Sequence, residues 1–298
     1  MGSVYAALMA DAGHQVYAVT LWPDHAAAMA ANGLRVEGAS GDRTVRLRAS
    51  TTPDDIGPCD LVVIATKAFD VEAAARACLP LLGPKTPVQT IQNGLGTAER
   101  VAPIVGPDRL IVGVVGGFGA SMRGPGHVHH NGMEMVRFGA YAGLPRPGLD
   151  AAAAIWRSAG FAVKLFDDID RMVWEKLIMN VAFSGPSCLT GLTIGEIMDS
   201  PEAWRVACGC AEEAIAVAAA RRIDLQVGDP LDHIRRLGGR IPQARPSMLL
   251  DHLAGRRSEI DVINGAIPRE AAKVGLAAPV NETVVALVKA REAGFSGG

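Results

Sequence analysis

Residues 59–66, CDLVVIAT, are apolar almost without interruption. A run of that kind reads as a strand covered on both faces of a parallel sheet. The segments around it alternate in type. A small-residue helix is expected over 3–12, ended by Gly13, and a strand over 15–21. A short helix over 26–31 closes at Asn32-Gly33, and LRVEG and TVRLRAS form a hairpin about Ser40-Gly41-Asp42. After the apolar run come a helix over 71–82, the strand VQTIQ (88–92), a helix over 98–104 and the strand LIVGVV (110–115). Strand and helix in alternation predict a doubly wound, Rossmann-like α/β sheet. GHVHHNGMEMVRFG and AVKLF are read as later, antiparallel strands.

Beyond Asp167 the pattern becomes helical, with helices expected over 170–184, 201–221, 229–238, 247–273 and 281–292. Ser200-Pro201 is a strong start, a serine N-cap followed by proline at the first helical position. The expected division is a Rossmann-like dinucleotide-binding domain over 1–167 and an all-helical substrate and dimerisation domain over 168–298.

Composition narrows the function classes. Hydrophobic residues make up 49% of the 298 and charged residues 20%, enough for a large core and against disorder. A formal charge of −2 gives no attraction to polyanions, so nucleic acid is not an expected partner. Arg235, Arg236 and Arg240 read as a solvated helix face. No apolar run reaches the ~18 residues of a membrane span, and the first residues do not read as a signal peptide. Ala6 stands where a myristoylation motif needs Ser or Thr. Cys59, Cys78, Cys188, Cys208 and Cys210 have no metal-ligand spacing and are read as reduced thiols of a cytoplasmic protein. His127, His129 and His130 are read as an exposed strand edge; no metal site is expected.

Three places carry chemistry. Lys67 follows a buried strand directly, and Asn93, with Gly94 and Gly96, follows another. In open α/β sheets ligands bind outside the carboxyl ends of strands, so a lysine and an amide there suit a phosphate and a ribose or nicotinamide. The second place is RMVWEKLIMNVAFSGPS, apolar nearly all round except for Lys176, Asn180 and Ser184. Spaced by four, these three share one helix face. Burying a lysine without a partner is costly, so the stripe reads as the lining of a cleft. The third is PSMLLDHLAGRRSEIDVINGAI, where Ser247 and Glu259, twelve residues apart, fall close to one face of the expected helix. Glu259 could pair with the lysine; Asp261 is the rival carboxylate.

TKAFD, QNGLG, WEKLIMNVAFS and PSMLLDHLAGRRSEIDVINGAI, in that order, resemble the motifs of ketopantoate reductases across residues 2–290. The resemblance implies an NAD(P)H-dependent reductase of a 2-oxoacid, with 2-dehydropantoate the leading substrate. It implies that Lys176 protonates or polarises the substrate carbonyl and that Glu259 orients substrate or lysine. Asn180, Ser184 and Ser247 would bind the substrate, and Gly2, Lys67, Asn93 and Gly94 the cofactor. NADP(H) is favoured, NAD(H) the alternative, and a homodimer is expected.

This chain departs from the family pattern in four ways. Met1-Gly2-Ser3 resembles the tail of a G-x-G-x-x-G turn with Gly2 as its third glycine, so a preceding strand and two glycines are expected upstream. Trp22 stands where the family carries an arginine facing a 2′-phosphate. Ser184 replaces a frequent asparagine, and Ile194 sits where the family is often polar. Two further readings therefore stay open: another oxoacid, imine or secondary alcohol as substrate, or a cofactor-binding protein without catalysis.

Overall fold

The computed structural model describes residues 1–117, 119–132 and 135–295. Its elements in chain order are α1 (Gly2–Asp11), β1 (Tyr17–Val19), α2 (Pro23–Asn32), β2 (Leu34–Gly38), β3 (Arg43–Val45), β4 (Arg48–Ser50), β5 (Val62–Ile64), α3 (Val71–Ala77), β6 (Val88–Thr90), α4 (Thr97–Val105), β7 (Leu110–Gly116), β8 (Gly119–Gly124), β9 (His127–Gly132), β10 (Met135–Ala140), α5 (Arg146–Ser158) and β11 (Ala162–Leu165). Seven helices follow: α6 (Ile169–Thr190), α7 (Ile194–Asp199), α8 (Pro201–Ala220), α9 (Pro230–Gly238), α10 (Ser247–Leu253), α11 (Ala266–Lys273) and α12 (Pro279–Glu292). The chain forms two compact units. One comprises Met1–Gln92 with Thr97–Ile169, and the other Asn93–Gly96 with Asp170–Gly298.

The first unit is Rossmann-like α/β. A five-stranded sheet runs β11-β10-β7-β6-β5, with β5, β6 and β7 parallel and β10 antiparallel to β7. β1 and β4 pair in parallel as a separate ribbon, and a third sheet runs β3-β2-β9-β8. The core is anchored by Trp156, fully buried, with Tyr5 and Phe161 packed edge-on at 4.9 Å each. Aromatic pairs in this arrangement add about 0.5–1.5 kcal/mol beyond burial. The indole N–H still needs an acceptor, and buried Gln89 of β6 supplies one at 2.7 Å.

Helices make up the second unit. On α8 the buried Ala203, Ala207, Ala211, Ala214 and Ala218 recur at helical spacing and make a small-residue face. Such a face lets neighbours approach closely; a Cβ added at Gly209 would lie 3.3 Å from Val280, just ahead of Asn281 on α12. Glu213 of α8 accepts the backbone N–H groups of Val280 (2.7 Å) and Asn281 (2.9 Å), a carboxylate where the α12 dipole is positive.

A buried amide pair completes the unit. Asn264 donates to the Val181 carbonyl at 2.9 Å and to the Asn281 side-chain oxygen at 3.0 Å, and Asn281 donates onward to Cys210 and Glu213. Asn264→Leu would strand both acceptors in the interior. The expected loss is about 2–4 kcal/mol by chemical denaturation; a loss under about 0.5 kcal/mol would mean these bonds contribute nothing.

The structure differs from sequence expectation at several elements. The stretch 247–273 is not one helix: α10 ends at Leu253, and Gly255 at φ +66 turns the chain into the non-helical segment that carries Glu259. Ser247 and Glu259 therefore share no helix face. TVRLRAS splits, β3 completing the hairpin with β2 while β4 leaves to pair with β1. β11 lies parallel to β10, not antiparallel. β5 is the end strand of its sheet, with Val62 and Ile64 buried and Val63 half-buried. β9 is internal and His130 fully buried, so the histidines do not form an exposed edge. The stretch GHVHHNGMEMVRFG includes Met133 and Glu134, which lie outside the described residues.

Candidate functional site

The residues expected to carry the chemistry fall into two groups, one in each unit. In the first unit, α1 begins at Gly2 with no side-chain cap, so no side chain satisfies its first backbone N–H groups, the kind of donors an anion uses. A Cβ added to Gly2 would lie 3.4 Å from Ala65, two residues before Lys67. Lys67 itself is half-buried. The Met1 amine beside it is pushed down to about 6, by burial first and by the Lys67 ammonium second. Lys67 and the α1 N-terminus are thus brought together, a donor set that fits a dinucleotide's phosphates.

Gln92 holds this arrangement and was not read from the sequence. Its buried side chain donates to the carbonyls of Ile64 (2.7 Å) and Thr66 (3.1 Å), fixing the strand end from which Lys67 projects. Arg100 of α4 donates to the Ala68 carbonyl at 2.6 Å and secures the far side of the same loop. A glutamine within VQTIQ alternates like any strand residue, so sequence gave no sign of it.

In the second unit the polar stripe lies on α6, where Lys176 and Asn180 are half-buried and Ser184 is buried. Around it Trp174, Leu177, Ile178, Val181 and Phe183 are nearly inaccessible. Asn264, bonded to the Val181 carbonyl, ties this helix to the segment 258–265. Glu259 is buried in that segment, 6% exposed. The same segment receives the turn after β6: the Leu95 N–H donates to the Val262 carbonyl at 2.8 Å, and Gly94 at φ +83 packs against that carbonyl. The turn carrying Asn93 and Gly94, expected in the first domain, therefore groups with the helical unit.

Ser247 is exposed at the first position of α10. The rival carboxylate, Asp261, is committed elsewhere. Burial works to raise it, but hydrogen bonds from Lys289 (2.5 Å) and Arg257 (2.9 Å) outweigh that and hold it below the usual carboxylate range. Among the described residues no cluster of His, Cys, Asp or Glu is arranged to hold a metal ion.

The start of the Glu259 segment is held from α12. Glu292 accepts from the Ser258 backbone N–H at 2.8 Å, from its hydroxyl at 2.5 Å and from His252 Nε2 at 3.0 Å. Glu292→Ala removes the acceptor of three donors at once. It should cost about 2–4 kcal/mol, with Glu292→Gln recovering part of the loss, measured by urea unfolding; equal stability of both variants with the parent would refute the bracing role.

Residues 1–143 match the family model described as Ketopantoate reductase PanE/ApbA, and residues 168–292 match that of its C-terminal part. The 2-dehydropantoate 2-reductase of Caulobacter vibrioides is 31% identical over 277 residues, covering 90% of this chain and 91% of that relative. The enzyme of the same name from Archaeoglobus fulgidus is 28% identical, covering 99% and 96%. A solved ketopantoate reductase of this family from Ralstonia eutropha JMP134 superposes with a TM-score of 0.89 at 33% identity, covering 98% and 96%. Taken with a stripe of lysine, asparagine and serine on a buried helix, these matches place the chain in the ketopantoate reductase family.

Proposed function

We propose that this chain reduces 2-dehydropantoate to pantoate with a nicotinamide cofactor, residues 168–298 carrying the substrate chemistry and residues 1–167 the dinucleotide. The observation that carries this reading is the Lys176–Asn180–Ser184 stripe on buried α6, tied through Asn264 to the segment holding buried Glu259. The substrate is that named for the relatives from Caulobacter and Archaeoglobus.

When bound, the reduced nicotinamide supplies a hydride to the keto carbon. Charge then develops on the carbonyl oxygen, and the Lys176 ammonium stabilises it and donates a proton there. Glu259 holds the lysine or the substrate hydroxyl in register. Asn180, Ser184 and Ser247 offer neutral hydrogen bonds to the substrate's carboxylate and hydroxyl groups. Gly2 and Lys67 receive the cofactor phosphates; Asn93 and Gly94 meet its ribose or nicotinamide.

Steady-state turnover with 2-dehydropantoate, using NADH and NADPH separately, tests the reading. Turnover with either cofactor supports it; its absence with both, in a folded protein, overturns it. A second reading, another bulky 2-oxoacid, is favoured by Ser184 and Ile194, both buried, which stand where the family resemblance expects asparagine and a polar residue. A panel of 2-oxoacids separates the two by kcat/KM.

No helix among the described residues is long and apolar enough to cross a membrane. We read the chain as cytoplasmic and as a homodimer formed through the helical unit, where Val206, Leu253 and Leu287 are exposed on α8, α10 and α12. Sedimentation equilibrium tests the dimer. The family resemblance favours NADP(H), whereas residues of this chain's own first unit argue for the other cofactor.

A further inference from the structure

The geometry points to discrimination against the 2′-phosphate: Trp22 and the acidic strand ends beside it select NADH over NADPH. This rests on the proposed dinucleotide site at the α1 N-terminus and deepens it. The reasoning stays within the first unit.

In a Rossmann-like unit the pyrophosphate sits at the N-terminus of the first helix. The residue deciding between a ribose 2′-hydroxyl and a 2′-phosphate lies about 20 residues on, after the next strand. Here that helix is α1 and the next strand is β1. Contacts connect the two places directly. Ser3, in the first turn of α1, hydrogen-bonds His25 Nε2 at 3.1 Å. The His25 ring stacks on Trp22, with centroids 5.3 Å apart and planes 22° from parallel. Trp22 follows β1, is 40% exposed, and caps the start of α2 through backbone geometry alone. An exposed indole, braced from behind by a buried ring, therefore stands beside the helix that receives the phosphates.

A 2′-phosphate carries about −1.5 to −2 charges at neutral pH and needs a cation. The segment that follows β1 supplies none. Residues 20–32, TLWPDHAAAMAAN, contain neither lysine nor arginine, and Asp24 lies two positions after Trp22. β4 runs parallel to β1 with Val19 opposite Ser50, so the residues after β4 flank those after β1. These are TTPDD, adding Asp54 and Asp55. Arg48 of β4 lies over the Tyr17 ring at 4.8 Å, where the two strands begin, with one guanidinium nitrogen 3.5 Å from the Asp55 carbonyl.

His25 does not substitute for the missing cation. Its Nδ1 accepts the Gly126 backbone N–H at 2.8 Å, which leaves the proton on Nε2 facing Ser3, and burial lowers its pKa. The ring at this position is neutral near pH 7. A ribose bearing two hydroxyls can lie against the indole and donate to Asp24. A ribose phosphate there meets an uncharged wall on a segment that carries Asp24, with Asp54 and Asp55 on the flanking segment after β4.

The test is the dissociation constant of NADH and of NADPH, by nicotinamide fluorescence titration, for the parent chain, Trp22→Arg and Asp24→Asn. The parent is expected to bind NADPH at least about tenfold more weakly than NADH. Trp22→Arg should shrink that ratio about tenfold. Asp24→Asn should shrink it less, with the parent's preference weakening as salt is raised. NADPH binding as tight as NADH in the parent would overturn the inference, as would a ratio unchanged in both variants. Should Trp22→Arg fail to fold, the exposed Asp24→Asn decides alone. Binding of neither cofactor by the folded parent would instead overturn the dinucleotide site itself.

Discussion

Lys176→Ala is expected to lower kcat by a factor of about 10²–10⁴ while leaving the unfolding transition within about 1 kcal/mol of the parent. The size follows from the role proposed for the ammonium. Hydride addition turns a neutral carbonyl oxygen into an alkoxide, and a fixed cation in a partly dehydrated site stabilises that charge far more than bulk water would. Alanine removes both the charge and the proton. The fold tolerates the change because Lys176 is only half-buried and Trp174, Leu177 and Ile178 carry the packing of α6. Lys176→Arg keeps the charge but not the compact, single-point geometry, and should recover only part of the loss. Affinity for the cofactor phosphates should hold in both variants, since Gly2 and Lys67, the residues proposed to receive them, belong to the other unit. An alanine variant retaining more than about a tenth of parental kcat would remove Lys176 from the reaction.

Gly94→Ala has the largest expected effect on stability. At φ +83 an L-residue costs about 1–2 kcal/mol. The added Cβ would also lie 2.1 Å from the Val262 carbonyl oxygen and 2.5 Å from its carbon, which no rotamer relieves because both are backbone. Moving the turn away would sacrifice the 2.8 Å Leu95–Val262 hydrogen bond. Strain and lost bonding together are expected to exceed about 3 kcal/mol in urea unfolding, with turnover falling as Asn93 shifts. Gly96→Ala is the internal control. It also has a positive φ, +93, but its Cβ would meet only the end of the Arg269 side chain at 3.5 Å. It should cost about 1–2 kcal/mol, the conformational term alone. Equal losses at the two glycines would show that the contact with Val262 has no consequence.

Much of the molecule is legible from local pattern. Alternating apolar runs and helix signals specify an α/β unit followed by helices, because burial of one face imposes its period on the sequence. The lysine stripe of α6 was legible for the same reason: polar residues four apart on an otherwise buried helix have only one face to occupy. Ser200 capping α8 through the Ala203 N–H was equally plain, the cap lying within four residues of its partner.

What sequence did not disclose depends on contacts between residues far apart in the chain. A helix was expected from 247 to 273, yet the turn at Gly255 and bracing by Glu292, 34 residues beyond Ser258, favour a non-helical segment. Gln92 looks like any strand residue until its amide meets the carbonyls of Ile64 and Thr66 on the neighbouring chain segment. Asn264 joins α6 to α12 across 83 and 17 residues of sequence, and the turn at Asn93 and Gly94 is held by the Val262 carbonyl, far along the chain. Periodicity records which face of an element is buried. It does not record what that face meets, and buried amides and carboxylates are positioned by their partners: an unpaired polar group in the interior costs more than most local preferences can offset.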